Sequence, residues 1–278
     1  MASAQDVAAV VCTLNSIASI RECLQSLRNA EVGELIVVDA RSTDGTRQVA
    51  NELAYAVVSD SGIGLGNARN TGIALTTCAY VLNMGSDNVM PPGELDRMLM
   101  YLRTHDLQGV SAQTFIEGDT YVSKGLNNWR KGRFIPGPSK IIGTPTLFDG
   151  DLLRSNPFDV SRQHSDDSEL CERWSRDFGA RFAISDAHVF EIGKANWTEV
   201  KARCRLYGIS DAEVFSAGRH EGWDLTRRIS SLLHPARVDF FRPLRQLPAR
   251  DAIVSVPFFA AHTALRYAGW AESAARAR

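Results

Sequence analysis

Of the 278 residues only five are cysteines, and Cys12, Cys23, Cys78, Cys171 and Cys204 are scattered, odd in number and free of any C-x-x-C pair. That excludes a disulfide framework and a zinc ribbon, and points to a reducing cytosol. The start, MASAQDVAAVVCTL, has no basic leader and carries an acid before its apolar run, so it reads as a first strand and not as a signal peptide. Long apolar runs are missing too. In the C-terminal tail the longest stretch without Asp, Glu, Lys or Arg is the fourteen residues Ala252 to Leu265, interrupted by Pro257, which is too short to span a bilayer. Glycine is absent where a dinucleotide cradle needs it. TLNSIAS after the first strand has none, and in GIGLGNARN the sixth residues counted from Gly62 and Gly64 are Asn67 and Arg69, so the G-x-G-x-x-G pattern of nicotinamide-dependent dehydrogenases fails. With 44% hydrophobic and 23% charged residues, the chain is neither fibrous nor disordered.

Its first hundred residues alternate short apolar runs with helix-type patterns. VAAVVCTL (Val7 to Leu14) has the length and β-branched content of a buried strand, and Ile17, Ile20, Leu24 and Leu27 follow at helical spacing. ELIVVD (Glu34 to Asp39) predicts a second strand; STDGT after it supplies helix-capping residues, Asp44 or Thr43, and Val49 with Leu53 marks one face of a second helix. YAVVS and CAYVLNM (Cys78 to Met84) predict two more strands, with the glycine-broken SGIGLGNARNTGIAL between them. Leu95, Met98, Leu99 and Leu102 predict a helix opened by Pro91 and Pro92. Such alternation implies an α/β fold, a Rossmann-like, mostly parallel sheet flanked by helices. Ligands of open α/β sheets bind beyond the carboxyl ends of the strands. Thr13 and Asn15, Asp39, the glycine loop, and Ser86, Asp87 and Asn88 occupy those ends.

Net charge is −1 for the whole chain, but it is unevenly spread. Residues 1–200 hold 18 basic and 25 acidic side chains, whereas 201–278 hold 13 and 7. In the tail, arginines 227, 228, 237, 242, 245 and 250 flank Phe240, Phe241, Phe258 and Phe259, the mixture of a segment lying on an anionic lipid surface. Two helices packed on a catalytic domain would show a similar pattern. Nucleic acid is disfavoured as a partner, because the rest of the chain is acidic and no reading motif is present.

Taken in order, VVCTLNS, ELIVVDARSTDGT, GLGNARNTGI, YVLNMGSDNVMPPGEL, LFDGDLLRSNPFD and DDSELCERWSRDFG resemble the family 2 glycosyltransferases. The resemblance covers about residues 6–215 and implies an A-type glycosyltransferase fold with a helical C-terminal extension. It implies a catalytic domain over 1–218, in which about 1–106 bind the nucleotide sugar and 107–218 the acceptor, followed by a basic amphipathic helical region at 219–278. The implied activity is inverting transfer of a sugar from a nucleotide-diphosphate donor to an acceptor hydroxyl, the acceptor being a glycan or a lipid-linked molecule, with Mg2+ or Mn2+ as cofactor. Location would be cytoplasmic, with a peripheral station at the inner face of the membrane if the tail meets lipid.

The same resemblance assigns residues. Thr13, Asn15 and Asp39 would meet the nucleoside, and Arg69 with Asn70 would open the helix before the metal strand, the guanidinium reaching nucleotide oxygens. The family's D-x-D signature falls on Gly85, Ser86 and Asp87, with Asn88 just after. The first acid is missing and the metal-binding one remains. A hard cation can sit on one carboxylate, diphosphate oxygens and water. Asp166 and Asp167 match the acidic pair whose second member is the general base that takes the acceptor's proton. His188, with Glu191 as the fallback, would stand near metal or diphosphate. Trp129, Arg130, Lys131 and Arg133 fit a loop facing the acceptor or a solvated one. Two other classes share these features: a nucleotide-sugar-binding relative without catalysis, and a nucleotidyltransferase on a similar α/β frame.

Overall fold

The structure is a computed structural model that describes residues 2–161, 166–193, 195–220 and 222–276. It divides into two compact units, Met1–Phe115 with Pro136–Gly193, and Ile116–Ile135 with Lys194–Arg278.

The first unit is built on a mixed sheet. Strands β1 (Val7–Thr13), β2 (Glu34–Asp39), β3 (Ala56–Ser59) and β4 (Tyr80–Gly85) are those the sequence predicts, and they pair in parallel in the order β3-β2-β1-β4. Five more strands extend the sheet: β5 (Asn88–Val89), β6 (Gly109–Ile116), β7 (Gly137–Ser139), β8 (Thr146–Asp149) and β9 (Phe182–Glu191). Here β8 lies antiparallel between β4 and β6, and β5 and β7 pair antiparallel with β9. All the parallel strands end on one edge. That edge carries the residues the chemistry needs.

Helices α1 (Ile20–Asn29), α2 (Thr46–Leu53), α3 (Leu65–Ile73) and α4 (Glu94–Thr104) follow the parallel strands; α5 (Tyr121–Arg133) belongs to the second unit, and α6 (Gly150–Ser155) and α7 (Asp166–Phe178) return to the first. Side chains of a strand alternate between faces, so a strand covered on both sides reads as a continuous apolar run. In β1, Val7, Ala9 and Val11 join one core with Leu24 and Leu27 of α1 and Leu95, Met98 and Leu99 of α4, while Val10 joins a second core with Ala68 of α3 and Leu170 and Trp174 of α7. Ile17 departs from the predicted helix face. It precedes α1 and is 44% exposed, because residues 14–19 are committed to the loop that carries Asn15 and Ser16. Pro91 and Pro92 likewise lie before α4, whose N-cap is Gly93 at φ 81.

In the second unit α5 packs with α8 (Trp197–His220), α9 (Leu225–Leu232), one π-helical turn at Ala236–Phe241, α10 (Arg242–Gln246) and α11 (Ala249–Arg276). Val122, Leu126 and Trp129 of α5, Cys204 of α8, and Phe258 and Phe259 of α11 form its core. Buried Asp239 accepts hydrogen bonds from Trp129 (3.3 Å), Arg133 and Arg266 (2.8 Å), and Arg266 is bidentate on Asp211 at 2.6 and 2.8 Å. The expected division at 218/219 therefore falls elsewhere. Residue 218 is inside α8, and the basic tail shares a core with α5 and α8. Two side chains expected at a lipid surface, Phe258 and Phe259, are fully buried. Amphipathic patterning alone does not tell a face packed on protein from one packed on lipid. Trp129 is core, Arg130 is buried and Arg133 bonds Asp239, so that segment is neither a loop nor wholly solvated.

Candidate active site

The loops after β1, β2 and β4 are tied to one another by side chains. Thr13 is the in-register partner of Asp39. Asn15, at φ 48, donates its backbone N–H to Ser42 Oγ at 2.8 Å, and its Oδ1 accepts from the Thr43 N–H at 2.9 Å. Asn and Asp tolerate that left-handed conformation better than most residues. The side chain of Asp39 is fully buried at the end of β2, where it accepts from the Ser42 N–H at 3.3 Å and meets Arg47 Nη1 at 3.5 Å. Neither Thr43 nor Asp44 is the N-cap of α2, which is Gly45; Asp44 Oδ1 accepts from the Thr46 N–H at 3.0 Å just ahead of it. The hydroxyls of Ser16 and Ser86 lie 2.9 Å apart and join the β1 loop to the turn after β4.

Beyond β4 a cavity of about 320 Å3 opens. It is lined by Val10, Cys12, Leu65, Arg69, Asn83, Met84, Gly85, Ser86, Asp87, Asn88, Thr144 and Glu191. Four of the residues chosen from sequence, Arg69, Ser86, Asp87 and Asn88, thus share one wall. Gly85, which stands where the family has its first acid, has a structural use. A Cβ there would lie 2.8 Å from Asp87 Oδ1 and 3.0 Å from Asn88 Oδ1, so any larger residue must push the Asp87 carboxylate aside. The absent side chain gives Asp87 its place.

Arg69 joins this cavity to the acidic pair at the start of α7. The guanidinium is nearly buried and stacks on Phe158 with Cζ 5.0 Å from the ring centroid. Its Nη1 donates to Asp166 Oδ2 at 2.7 Å and to Asp167 Oδ1 at 3.0 Å, and its Nη2 donates to Thr144 Oγ1 at 2.7 Å. Asp166 Oδ1 in turn accepts the Asp167 N–H at 3.0 Å. Burial pushes the Asp167 carboxyl up to about 6, with Asp166 adding to the rise and Arg69 opposing it. That is a pKa suited to a group that must be ionised near neutrality and still accept a proton. Ser165, the residue before α7, lies outside the described residues.

Two assignments are corrected. Asn70 does not face the cavity: its Nδ2 donates to the Phe158 carbonyl at 2.8 Å and its Oδ1 accepts from the Phe158 N–H at 3.0 Å. It braces the segment over α3. Arg69 and Asn70 also lie in the second turn of α3, since the helix begins at Leu65. His188 is inside β9, not in a loop, and it does not line the Asp87 cavity. Its Nδ1 is 3.3 Å from Glu94 Oε2, and its ring meets Phe115 and Phe190. Glu191, three residues on, faces the opposite side of the strand and lines the cavity beside Asp87. The pleat explains why Glu191 and not His188 is on the cavity lining. Among the described residues no cluster of three or more His, Cys, Asp or Glu forms a metal cage. Asp87 and Glu191 nonetheless give two hard oxygen donors on one cavity. That suits a Mg2+ or Mn2+ ion whose remaining ligands are substrate oxygens and water.

Sequence reasoning passed over Thr144, Thr146 and Asn83. The signal for Asn83 was an amide inside the apolar run YVLNMG.

The sheet, the cavity at its carboxyl edge and the acid pair bonded to Arg69 make up the candidate site of a transferase, and comparison with known proteins gives the family. The profile of Glycosyl transferase family 2 matches residues 8–183, and the chain belongs to that family. A PGL/p-HBAD biosynthesis glycosyltransferase of Mycobacterium tuberculosis (strain ATCC 25618 / H37Rv) is 30% identical over 106 residues, 35% of this chain and 41% of that protein. EpsH of Bacillus subtilis (strain 168) is 32% identical over 100 residues, 34% of this chain and 29% of EpsH. The chain thus matches well under two thirds of either relative. Among solved structures, the mannosyltransferase PcManGT from Pyrobaculum calidifontis, in complex with GDP-Man and Mn2+, superposes with a TM-score of 0.58 at 21% identity, covering 96% of this chain and 80% of that one. S. aureus TarS 1-349 gives 0.52 at 17% identity, covering 98% and 92%. These likenesses show the A-type glycosyltransferase fold.

Proposed function

We propose that the protein transfers a sugar from a nucleotide-diphosphate sugar to an acceptor hydroxyl with inversion at the anomeric carbon. The observation that carries this reading is the cavity lined by Asp87, Glu191 and Arg69, with Arg69 bonded in turn to Asp166 and Asp167. Thr13, Asn15 and Asp39 hold the nucleoside at the end of β1 and β2, where a buried carboxylate accepts from base N–H or ribose hydroxyls. Asp87, Ser86 and Asn88 receive the diphosphate. A Mg2+ or Mn2+ ion held by Asp87 and Glu191 supplies charge neutralisation of the leaving diphosphate.

Asp167 accepts the proton of the acceptor hydroxyl. As that O–H bond breaks, the oxygen forms a bond to the anomeric carbon, and the bond from that carbon to the diphosphate breaks with its electron pair leaving on the diphosphate. Arg69 fixes the Asp167 carboxylate and keeps the buried charge paired. Asp166 is a positioning residue, bonding Arg69 and the Asp167 N–H. The donor binding of the solved neighbours, GDP-Man with Mn2+ in PcManGT and UDP-GlcNAc in TarS, supports the nucleotide-sugar class.

We further propose a glycan or lipid-linked acceptor presented at an anionic membrane. Helix α9 has no buried residue, and Leu225, Ile229, Leu232 and Leu233 are exposed. Arg237, Arg242 and Arg245 line a second concavity of about 330 Å3 with Phe241. Exposed apolar groups interleaved with guanidinium groups suit phosphate head groups. No helix of the described residues is long and apolar enough to cross a membrane.

The test is isothermal titration with UDP- and GDP-sugars, with and without Mn2+, alongside product analysis. Release of nucleoside diphosphate is expected. Pyrophosphate release would assign a nucleotidyltransferase, and binding without turnover on any acceptor would assign a non-catalytic relative. Asp87→Ala is expected to weaken nucleotide binding only when Mn2+ is present; equal weakening in EDTA would remove Asp87 from a cation role.

A further inference from the structure

The Asp87 cavity is lined in part by Asn83, and Asn83 and its ladder partner Thr146 are buried polar groups with nothing to bond. Asn83 on β4 is 1% exposed, and neither its Oδ1 nor its Nδ2 has a hydrogen-bond partner among the described residues. Thr146 on β8 is fully buried, and its Oγ1 is also without one. The two residues are direct partners across the β4–β8 ladder, so their side chains share a face. Their surroundings on that face are apolar: Val10 is the β1 partner of Asn83, Val81 lies two residues before it on β4, and Phe148 lies two residues after Thr146 on β8. An amide and a hydroxyl in such a place are uncompensated for their lost hydration, and buried polar groups of folded proteins are nearly always satisfied. The exceptions concentrate at functional sites.

Asn83 itself reaches the cavity lining, and Gly85, two residues beyond it on the same face of β4, stands at the same wall. The cavity of about 320 Å3 is at the small end of ligand pockets.

We infer that Asn83 and Thr146 form a polar subsite that binds a hydroxyl of the transferred sugar and so determines which donor is accepted. A hydroxyl both donates and accepts, and the Asn83 amide offers one group of each kind. Asn83 lines the same cavity as Asp87 and Arg69, with Thr146 as its ladder partner, and Arg69 links that cavity to Asp167. This inference rests on the nucleotide-sugar reading of the site and extends it to the sugar. A site built to hydrogen-bond a hydroxyl discriminates strongly against donors that cannot supply it.

The test uses the full chain and its Asn83→Leu and Thr146→Val variants. Binding of UDP, UDP-glucose, GDP and GDP-mannose is measured by titration with Mn2+, together with thermal unfolding without ligand. In Asn83→Leu, affinity for the nucleotide sugar that the wild type prefers is expected to fall about tenfold or more. Affinity for the matching nucleoside diphosphate stays within about twofold, a difference below one hydrogen bond. Thr146→Val shows a smaller loss of the same kind. Both variants should melt higher than the wild type, Asn83→Leu by about 2–4 °C, because an unpaired polar group has left an apolar layer. A structural role predicts the opposite: a lower melting point with nucleoside diphosphate and nucleotide sugar weakened together, which would overturn the inference. Unchanged affinity for every probe would also overturn it, since the groups then hold only water. Failure of the wild type to bind any of the four nucleotides would instead bring down the donor reading, and this inference with it.

Discussion

Asp167 is the proposed general base, and its environment decides its titration. Burial raises its pKa to about 6, Asp166 adds to that, and Arg69 opposes it. A general base acts only when ionised, so transfer should be low below pH 6, rise through about that value, and level off toward neutrality. The Asp167→Asn variant keeps the size and the bond to Arg69 but cannot take a proton. It is expected to lose transfer while binding donor nearly as the wild type does. Retained turnover within about tenfold, a barrier change of only about 1.4 kcal/mol, would remove Asp167 from the base role. The loss of the pH-dependent limb in any residual activity is the accompanying signature. Gly85 belongs to the same scale. Read as a motif it is a missing acid; read as geometry it is the space into which the remaining acid folds, 2.8 Å from where a Cβ would stand.

The elements show what a sequence reveals and what it withholds. Four strands and the helices after them were legible because β1, β2 and β4 are buried on both faces and their apolar residues run unbroken, and because α1 repeats its apolar face at three- and four-residue spacing. The site at their carboxyl ends was legible for the same reason. What failed did so where facing matters. His188 and Glu191 differ by three positions, so the pleat sends them to opposite sides, and the register of β9 depends on β6, β5 and β7, strands far from it in sequence. Asn70 looked like a ligand group but serves as a strut, because its partner Phe158 is distant in sequence. The crossing of α8 and α11 was equally hidden. At Gly208 a Cβ would lie 2.1 Å from the Arg266 carbonyl oxygen and 2.6 Å from the Trp270 nitrogen, and at Gly269 one would lie 2.6 Å from the Arg205 carbonyl oxygen. Backbone meets backbone there, and only glycine permits it. Gly208→Ala is therefore expected to destabilise the helical unit by about 1–3 kcal/mol through overpacking, read as a lower denaturant midpoint. An unchanged midpoint would mean that the helices do not cross this closely.

At the scale of the whole molecule the charge asymmetry is the feature to explain. The acidic excess lies in the sheet-based unit's part of the sequence, and the basic excess follows residue 200. Part of that basic charge is internal: Arg266 is spent on Asp239 and Asp211, and Phe258 and Phe259 are core. What remains outside is narrower than the composition suggests and better defined. Arg227, Arg237, Arg242, Arg245 and Arg250 are exposed, as are Leu225 at 71%, Ile229 at 47% and Leu233 at 50%. Each arginine near an anionic surface contributes about 1 kcal/mol and the attraction is screened by salt, whereas the apolar face contributes independently of salt. The two terms can therefore be separated. Full-length protein is expected to co-sediment with vesicles containing phosphatidylserine at low salt, to release at high salt, and to bind neutral vesicles weakly. Arg242→Glu with Arg245→Glu should lower binding to anionic vesicles by at least about tenfold. Leu225→Glu with Ile229→Glu should lower the residual binding that survives high salt, and because these side chains are exposed it should leave thermal unfolding unchanged. Absence of binding by the wild-type protein, or binding that neither pair of changes weakens, would remove the membrane from the proposed function while leaving the transferase site as it stands.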